Sequence, residues 1–193
     1  MALTYQRLRA PEKDGQSLQV PPSTGWPNVL SQNQLLLSSH SFEIGRMPVQ
    51  SLRATARDEL IQMAFDYSRQ YREVNIPANP RGLIMAGHQP TLFHPGVWYK
   101  NFALSRVTRQ TNSVAVNLVV DNDHNALRSI RVPTGSMDDP RIELVRFDSR
   151  TANGPFETER LHSRETFYSF GERVAGAIRP FVAQPLIKQL WPY

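Results

Sequence analysis

The stretch that decides the fold runs from residue 83 to residue 124. It begins Leu83-Ile84-Met85-Ala86 and continues Gly87-His88-Gln89-Pro90-Thr91-Leu92-Phe93-His94-Pro95-Gly96. After an amphipathic segment come Val114-Ala115-Val116-Asn117-Leu118-Val119-Val120 and then Asp121-Asn122-Asp123-His124. The order is strand, polar loop, helix, strand, acidic cluster. Between the strands, Tyr99, Phe102, Ala103 and Val107 form one apolar stripe while Lys100, Arg106 and Arg109 can point elsewhere. A crossover helix of about three turns fits there, closed by Thr111-Asn112. If the strands are parallel in one sheet, that helix makes a right-handed crossover and both polar clusters fall at the same carboxyl edge. Ligands of open α/β sheets bind at that edge. The expected class is therefore α/β, with a small parallel sheet and crossover helices.

Upstream, residues 1–45 are rich in Pro, Ser and Gln, with Pro21-Pro22 and Pro27 expected to break any regular element, so a weakly structured arm is predicted. Residues 46–193 form the predicted α/β domain. Between Ser51 and Glu73 the residues Ala56, Leu60, Ala64, Tyr67 and Tyr71 recur at helical spacing. Downstream, Ser129-Ile130-Arg131-Val132 and Arg141-Ile142-Glu143-Leu144-Val145-Arg146-Phe147 alternate with period two, which predicts an additional antiparallel strand pair. From about Ser163 a helix is expected, with Phe167, Phe170, Val174, Ile178 and Phe181 on one face until Pro180 and Pro185 disturb it. The apolar end, Pro185 to Tyr193, needs a covering surface. Either it docks on its own domain, or it makes a homo-oligomer contact, or the domain is truncated at its carboxyl end; a subunit contact or a missing continuation is the expectation carried forward.

With 193 residues and 40% hydrophobic content the chain can bury one substantial core. It has no cysteine, which removes disulfides, thiol nucleophiles and thiolate-held metals and leaves His, Asp and Glu as metal ligands. The net charge of +5 raises the question of nucleic acid, but the 22 basic residues are scattered among 17 acids rather than clustered. Nucleic acid is not an expected partner. Residues 1–15 lack the apolar run of a signal peptide and no later run reaches membrane-spanning length, so no membrane association and a cytoplasmic location are expected.

The loop after the first strand carries His88 and His94, with Gln89, Thr91, Gly96 and Lys100 nearby. A loop leading into a helix amino terminus suits an anion, since the dipole is positive there. Its spacing is neither a P-loop nor a Gly-x-Gly-x-x-Gly turn, which argues against conventional dinucleotide binding. In the plainer reading His88 bonds to loop backbone and His94 is a surface residue. Asp121 and Asp123 fall on one side of the chain if extension continues past the strand, with Asn122 and His124 on the other. Such a pair can bind a cation or fix a histidine tautomer; an ordinary Asp-Asn-Asp turn explains the same composition.

His88-Gln89-Pro90, Leu92, Pro95-Gly96, Tyr99, Lys100 and, after one strand, Asp123-His124 resemble the bacillithiol biosynthesis cysteine-adding enzyme (BshC) family over residues 82–132. That family has a Gln-Gln pair after its first strand, then a Gly-Pro, Tyr and Lys series, and a Glu-Asp-His-Asp cluster. The resemblance implies a Rossmann-like core similar to class I nucleotidyltransferases and a cysteine-ligase role on an amino-sugar malate conjugate. On this match His88 and Gln89 take the Gln-Gln positions, Lys100 the Lys, and Asp123 and His124 the central Asp-His. A weaker similarity, to WbqC-like proteins, rests on His-Gln-Pro with the later Pro, Gly and Lys.

The expected function is a BshC-like ligase or transferase that binds a small anionic substrate or nucleotide. His88, Asp123 and His124 are its candidate catalytic residues; Gln89, Thr91, His94, Gly96 and Lys100 are candidate substrate contacts. No resident metal is assigned and no cofactor can be named. A non-catalytic interaction domain using the apolar carboxyl end, and a metal-dependent hydrolase using His88, Asp121, Asp123 and His124, are the alternatives.

Overall fold

The parallel pairing at the centre of the chain is present. In the computed structural model, which describes residues 7–90, 95–123, 128–150 and 154–191, strand β3 (Leu83–His88) lies beside β4 (Val114–Val119), and helix α3 (Pro95–Thr111) joins them. The Val114 amide donates to the Gly82 carbonyl at 2.8 Å and the Val120 amide to the His88 carbonyl at 2.9 Å. Partner numbers rise together along both strands, which defines a parallel register. Among the described residues this sheet has two strands.

The chain divides into two units. The first holds the residues up to Ile84 together with Ala103–Val116. Its helix α1 (Trp26–Ser38) lies inside the segment expected to be irregular, because Pro27 falls in the first turn, where a missing N–H breaks no helical bond. Gln34 of this helix donates to the Arg81 carbonyl at 2.6 Å. A two-residue hairpin follows, β1 (Glu43–Ile44) against β2 (Met47–Pro48), with Gly45 and Arg46 both at positive φ as a type I′ turn requires.

Helix α2 (Val49–Ser68) stops one turn short of the predicted end. Its half-buried face is Leu60, Ile61, Ala64 and Phe65, while Ala56, Tyr67 and Tyr71 are exposed. The two tyrosines pair with each other at 5.4 Å instead of entering a core. Helix α3 shows a similar rotation. Leu104, Val107, Thr108 and Thr111 are its buried line, and Tyr99 and Phe102 of the predicted stripe are exposed. The two buried hydroxyls bond to carbonyls one turn back, Thr108 to Leu104 and Thr111 to Val107, so their burial leaves no donor unmet. Asn112 closes the helix at φ +47°, and its side-chain amide donates to the carbonyls of Ala78 and Asn79.

The second unit holds Met85–Phe102 and Asn117–Tyr193. Its core is built on the predicted antiparallel pair, β5 (Ser129–Gly135) with β6 (Pro140–Arg146), in the register Ile130 opposite Val145 and Val132 opposite Glu143. Gly135 sits at φ +87°, where an added Cβ would also collide with the Asp139 carbonyl. Val132, Val145, Phe147, Phe170 and Val174 form the buried cluster. Phe170 and Val174 belong to α5 (Phe170–Ile178), which follows the short α4 (Arg164–Tyr168) capped by the Ser163 hydroxyl accepting from the Thr166 amide.

Part of the carboxyl end packs on its own unit, the first of the three arrangements the apolar tail allows, while Leu186 and Leu190 stay exposed. Short helix α6 (Ile187–Leu190) brings Ile187 and Trp191 against the cluster. The Trp191 ring lies 4.6 Å from Phe167 and 4.8 Å from Phe170, and its indole N–H donates to the Phe167 carbonyl at 2.6 Å. Gly171 permits this approach, since a Cβ there would stand 3.0 Å from the Trp191 Cβ. The Phe167 and Phe170 side chains, which helical spacing places on one face, are the surface against which Trp191 packs.

Asp148, just past β6, is fully buried. Burial alone raises a carboxyl pKa, but the backbone N–H groups of His162, Ser149 and Ser163 and the His162 side chain outweigh it and hold Asp148 below its ordinary value. The Ser149 and Ser163 amides reach Oδ1 at 2.7 and 3.0 Å.

Two outcomes follow for stability. Trp191→Ala is expected to cost about 3 kcal/mol, against less than about 0.5 kcal/mol for the exposed Leu190→Ala, in urea unfolding; equal losses would contradict the docked tail. For Asp148 the folded carboxyl is more acidic than the unfolded one, so its contribution is complete above about pH 4 and fades as pH falls through the lowered folded value. Asp148→Asn should therefore cost about 1–3 kcal/mol at neutral pH and flatten the acid side of the stability curve. An acid slope unchanged in the variant would show that Asp148 does not set it.

Candidate functional site

Because β3 and β4 are parallel and end together, the residues after each strand meet at one edge, within the second unit. His88 is the last residue of β3, and its carbonyl takes the Val120 amide. From the next position Gln89 reaches across, and its side-chain N–H donates to Asp123 Oδ2. This bond links the two loops directly. From the first turns of α3, Lys100 curls back so that Nζ donates to the Gly87 carbonyl at 3.2 Å. An ammonium has three hydrogens, and this contact uses one.

The structure thus brings together Gln89, Lys100 and Asp123, with Gly87 and His88 supplying backbone carbonyls. The His88 imidazole is half-buried, and Nδ1 donates to the Gln89 carbonyl at 2.9 Å. A carbonyl has no proton to give, so Nδ1 carries the hydrogen in that contact. The plainer reading of His88 as a loop hydrogen bonder therefore describes one of its ring nitrogens. Gly96 lies in the first turn of α3, at the positive end of the helix dipole. Thr91, His94 and His124 lie outside the described residues.

At the second strand, extension does not persist. β4 ends at Val119, and Asp121 and Asn122 form a turn, so the alternation that would place Asp121 beside Asp123 does not apply. The turn is fastened from behind. The Glu157 amide donates to the Asp121 carbonyl at 2.9 Å, and the Phe156 amide to the Asp123 carbonyl at 3.1 Å. Both donors belong to a 3-10 turn, Phe156–Thr158. Asp123 is half-buried, while Asp121 is exposed.

Three residues that sequence reasoning did not single out complete this region. Arg128 and Glu159 form an ion pair at 3.1 Å, with side chains only 10% and 13% exposed. The Arg128 guanidinium also lies 5.6 Å from the centre of the Phe156 ring. The partners are 31 positions apart and neither stands in a periodic pattern, so no local signal in the sequence points to them.

Chemically, the edge offers an ammonium at the end of one strand and a carboxylate at the end of the other, with an amide side chain between. Such a set can hold a zwitterionic or mixed-charge small molecule. Among the described residues no three His, Asp or Glu side chains converge to hold a metal ion. No helix among them is long and apolar enough to cross a membrane. Comparison with protein families, curated proteins and solved structures finds no match for the chain.

Proposed function

We propose that the chain is a ligase or transferase of the BshC type, binding a small anionic substrate or nucleotide at the carboxyl edge of a Rossmann-like arrangement of β3, α3 and β4. The observation that carries this reading is the Gln89 to Asp123 hydrogen bond, which joins the loop after the first parallel strand to the loop after the second. Open α/β folds bind ligands in that crevice. Lys100 and His88 counter the negative charge of the substrate. Asp123 orients the amine of the acceptor, and His124 serves as its acid and base partner.

Two features support the assignment of Lys100. Its ammonium is turned toward the strand end by the Gly87 carbonyl, and Lys100 stands in the amino-terminal part of α3, the positive end of the helix dipole. Side chain and dipole therefore favour the same sign of ligand. A cytoplasmic location accords with this small-molecule chemistry. A second reading, an interaction domain, is favoured by Leu186 and Leu190, which stay 64% and 49% exposed although the tail is docked.

Titration calorimetry with ATP, citrate and a sugar phosphate tests the reading. At least one should bind, and Lys100→Ala should weaken it by about 1–3 kcal/mol if the contact is charge-assisted. Equal affinities would remove Lys100 from the site. Binding of none of the three, together with self-association or partner capture through the tail, would replace the ligase reading by the interaction domain, and a stoichiometric metal found by elemental analysis would replace it by the hydrolase.

A further inference from the structure

The acidic turn of the candidate site is built from parts that the hydrophobic core does not explain. Glu159 uses both carboxylate oxygens: Oε2 takes Arg128 at 3.1 Å, and Oε1 takes the Gly154 amide at 3.1 Å. It therefore fixes the two ends of the segment that carries the 3-10 turn. That turn in turn donates its Phe156 and Glu157 amides to the carbonyls of Asp123 and Asp121. Arg128 is held on its other side as well, since its own carbonyl accepts the Phe147 amide at 2.9 Å. Its guanidinium covers the Phe156 ring.

We infer that the Arg128–Glu159 pair is a positioning device for the candidate site: through the 3-10 turn it holds Asp123 where Gln89 can reach it. The inference extends the proposed function, and its first readout depends on no ligand. The energetic argument is one of elimination. Taking two charges out of water costs about as much as their attraction returns, and apolar residues of the same volume commonly stabilise a fold as well. The packed cluster of this unit lies among Val132, Val145, Phe147, Phe170 and Val174, and includes neither partner. What a directional, doubly bonded carboxylate adds is geometry. Here that geometry ends on the backbone of Asp121 and Asp123.

The side-chain amide resonances of Gln89, assigned with Gln89→Ala, report the bond to Asp123 directly. In Arg128→Met and in Glu159→Gln they should move toward the values of a solvated glutamine, while Arg128→Lys, which keeps the charge, should stay near wild type. Where the wild type binds ATP, Arg128→Met should bind it about tenfold more weakly. Gln89 resonances identical to wild type in both charge-removing variants would overturn the inference and leave the pair a purely structural one. Should Arg128→Met fail to fold, Glu159→Gln, which keeps an acceptor for the Gly154 amide, decides the question. Moved Gln89 resonances in a protein whose wild type binds no ATP, citrate or sugar phosphate would sink the functional reading and uphold the positioning role.

Discussion

The register of β3 against β4 is the constraint on which the site depends. Parallel neighbours cannot be joined by a tight turn, so the chain must return through a crossover, and α3 supplies it. With the Val120 amide on the His88 carbonyl, the two strands stop at the same level. Gln89 then leaves the first strand where Asp123 follows the second, and the first turns of α3 bring Lys100 back to Gly87. A slip of one residue in the pairing would turn every strand side chain to the other face and separate these groups.

The second unit shows a division of labour between apolar and polar contacts. Its core is the inner face of the β5–β6 pair covered by α5 and sealed by Trp191. Its polar contacts stand at the junctions between elements. Asp148 ties the end of β6 to the start of α4 through three backbone amides. The Arg128 and Glu159 pair ties the start of β5 to the 3-10 turn behind the acidic corner. Buried carboxylates are tolerated in both places because each accepts directed N–H bonds.

Much of this was legible in the sequence. The β-branched run from Val114 and the period-two alternation around Ile130 and Val145 mark strands, and Asn112 marks a helix end because its side chain tolerates the left-handed turn. The errors have physical causes as well. Pro27 suggests a break when taken alone, but a first-turn proline costs a helix nothing, and α1 begins around it. Counting Tyr67, Tyr71, Tyr99 and Phe102 as core residues rotated two helix faces, since rings with one polar or partnered edge can remain outside. The place where Trp191 docks is not legible locally, because its receptor, the Phe167 and Phe170 rings beside Gly171, lies some twenty residues upstream, as the Trp191 to Phe167 separation of 24 shows. Arg128 and Glu159 carried no local signal at all. Pairings across such separations are set by tertiary structure, not by period.

Chemical-shift mapping during an ATP titration tests the central claim most directly, because it locates binding without assuming a reaction. The largest amide shifts are expected at Gly87, His88, Gln89, Lys100 and Asp123, with Ile142 and Leu144 on the exposed face of β6 unmoved. Shifts concentrated on that β6 face or along the tail at Leu186 and Leu190, with the ends of β3 and β4 unchanged, would contradict it.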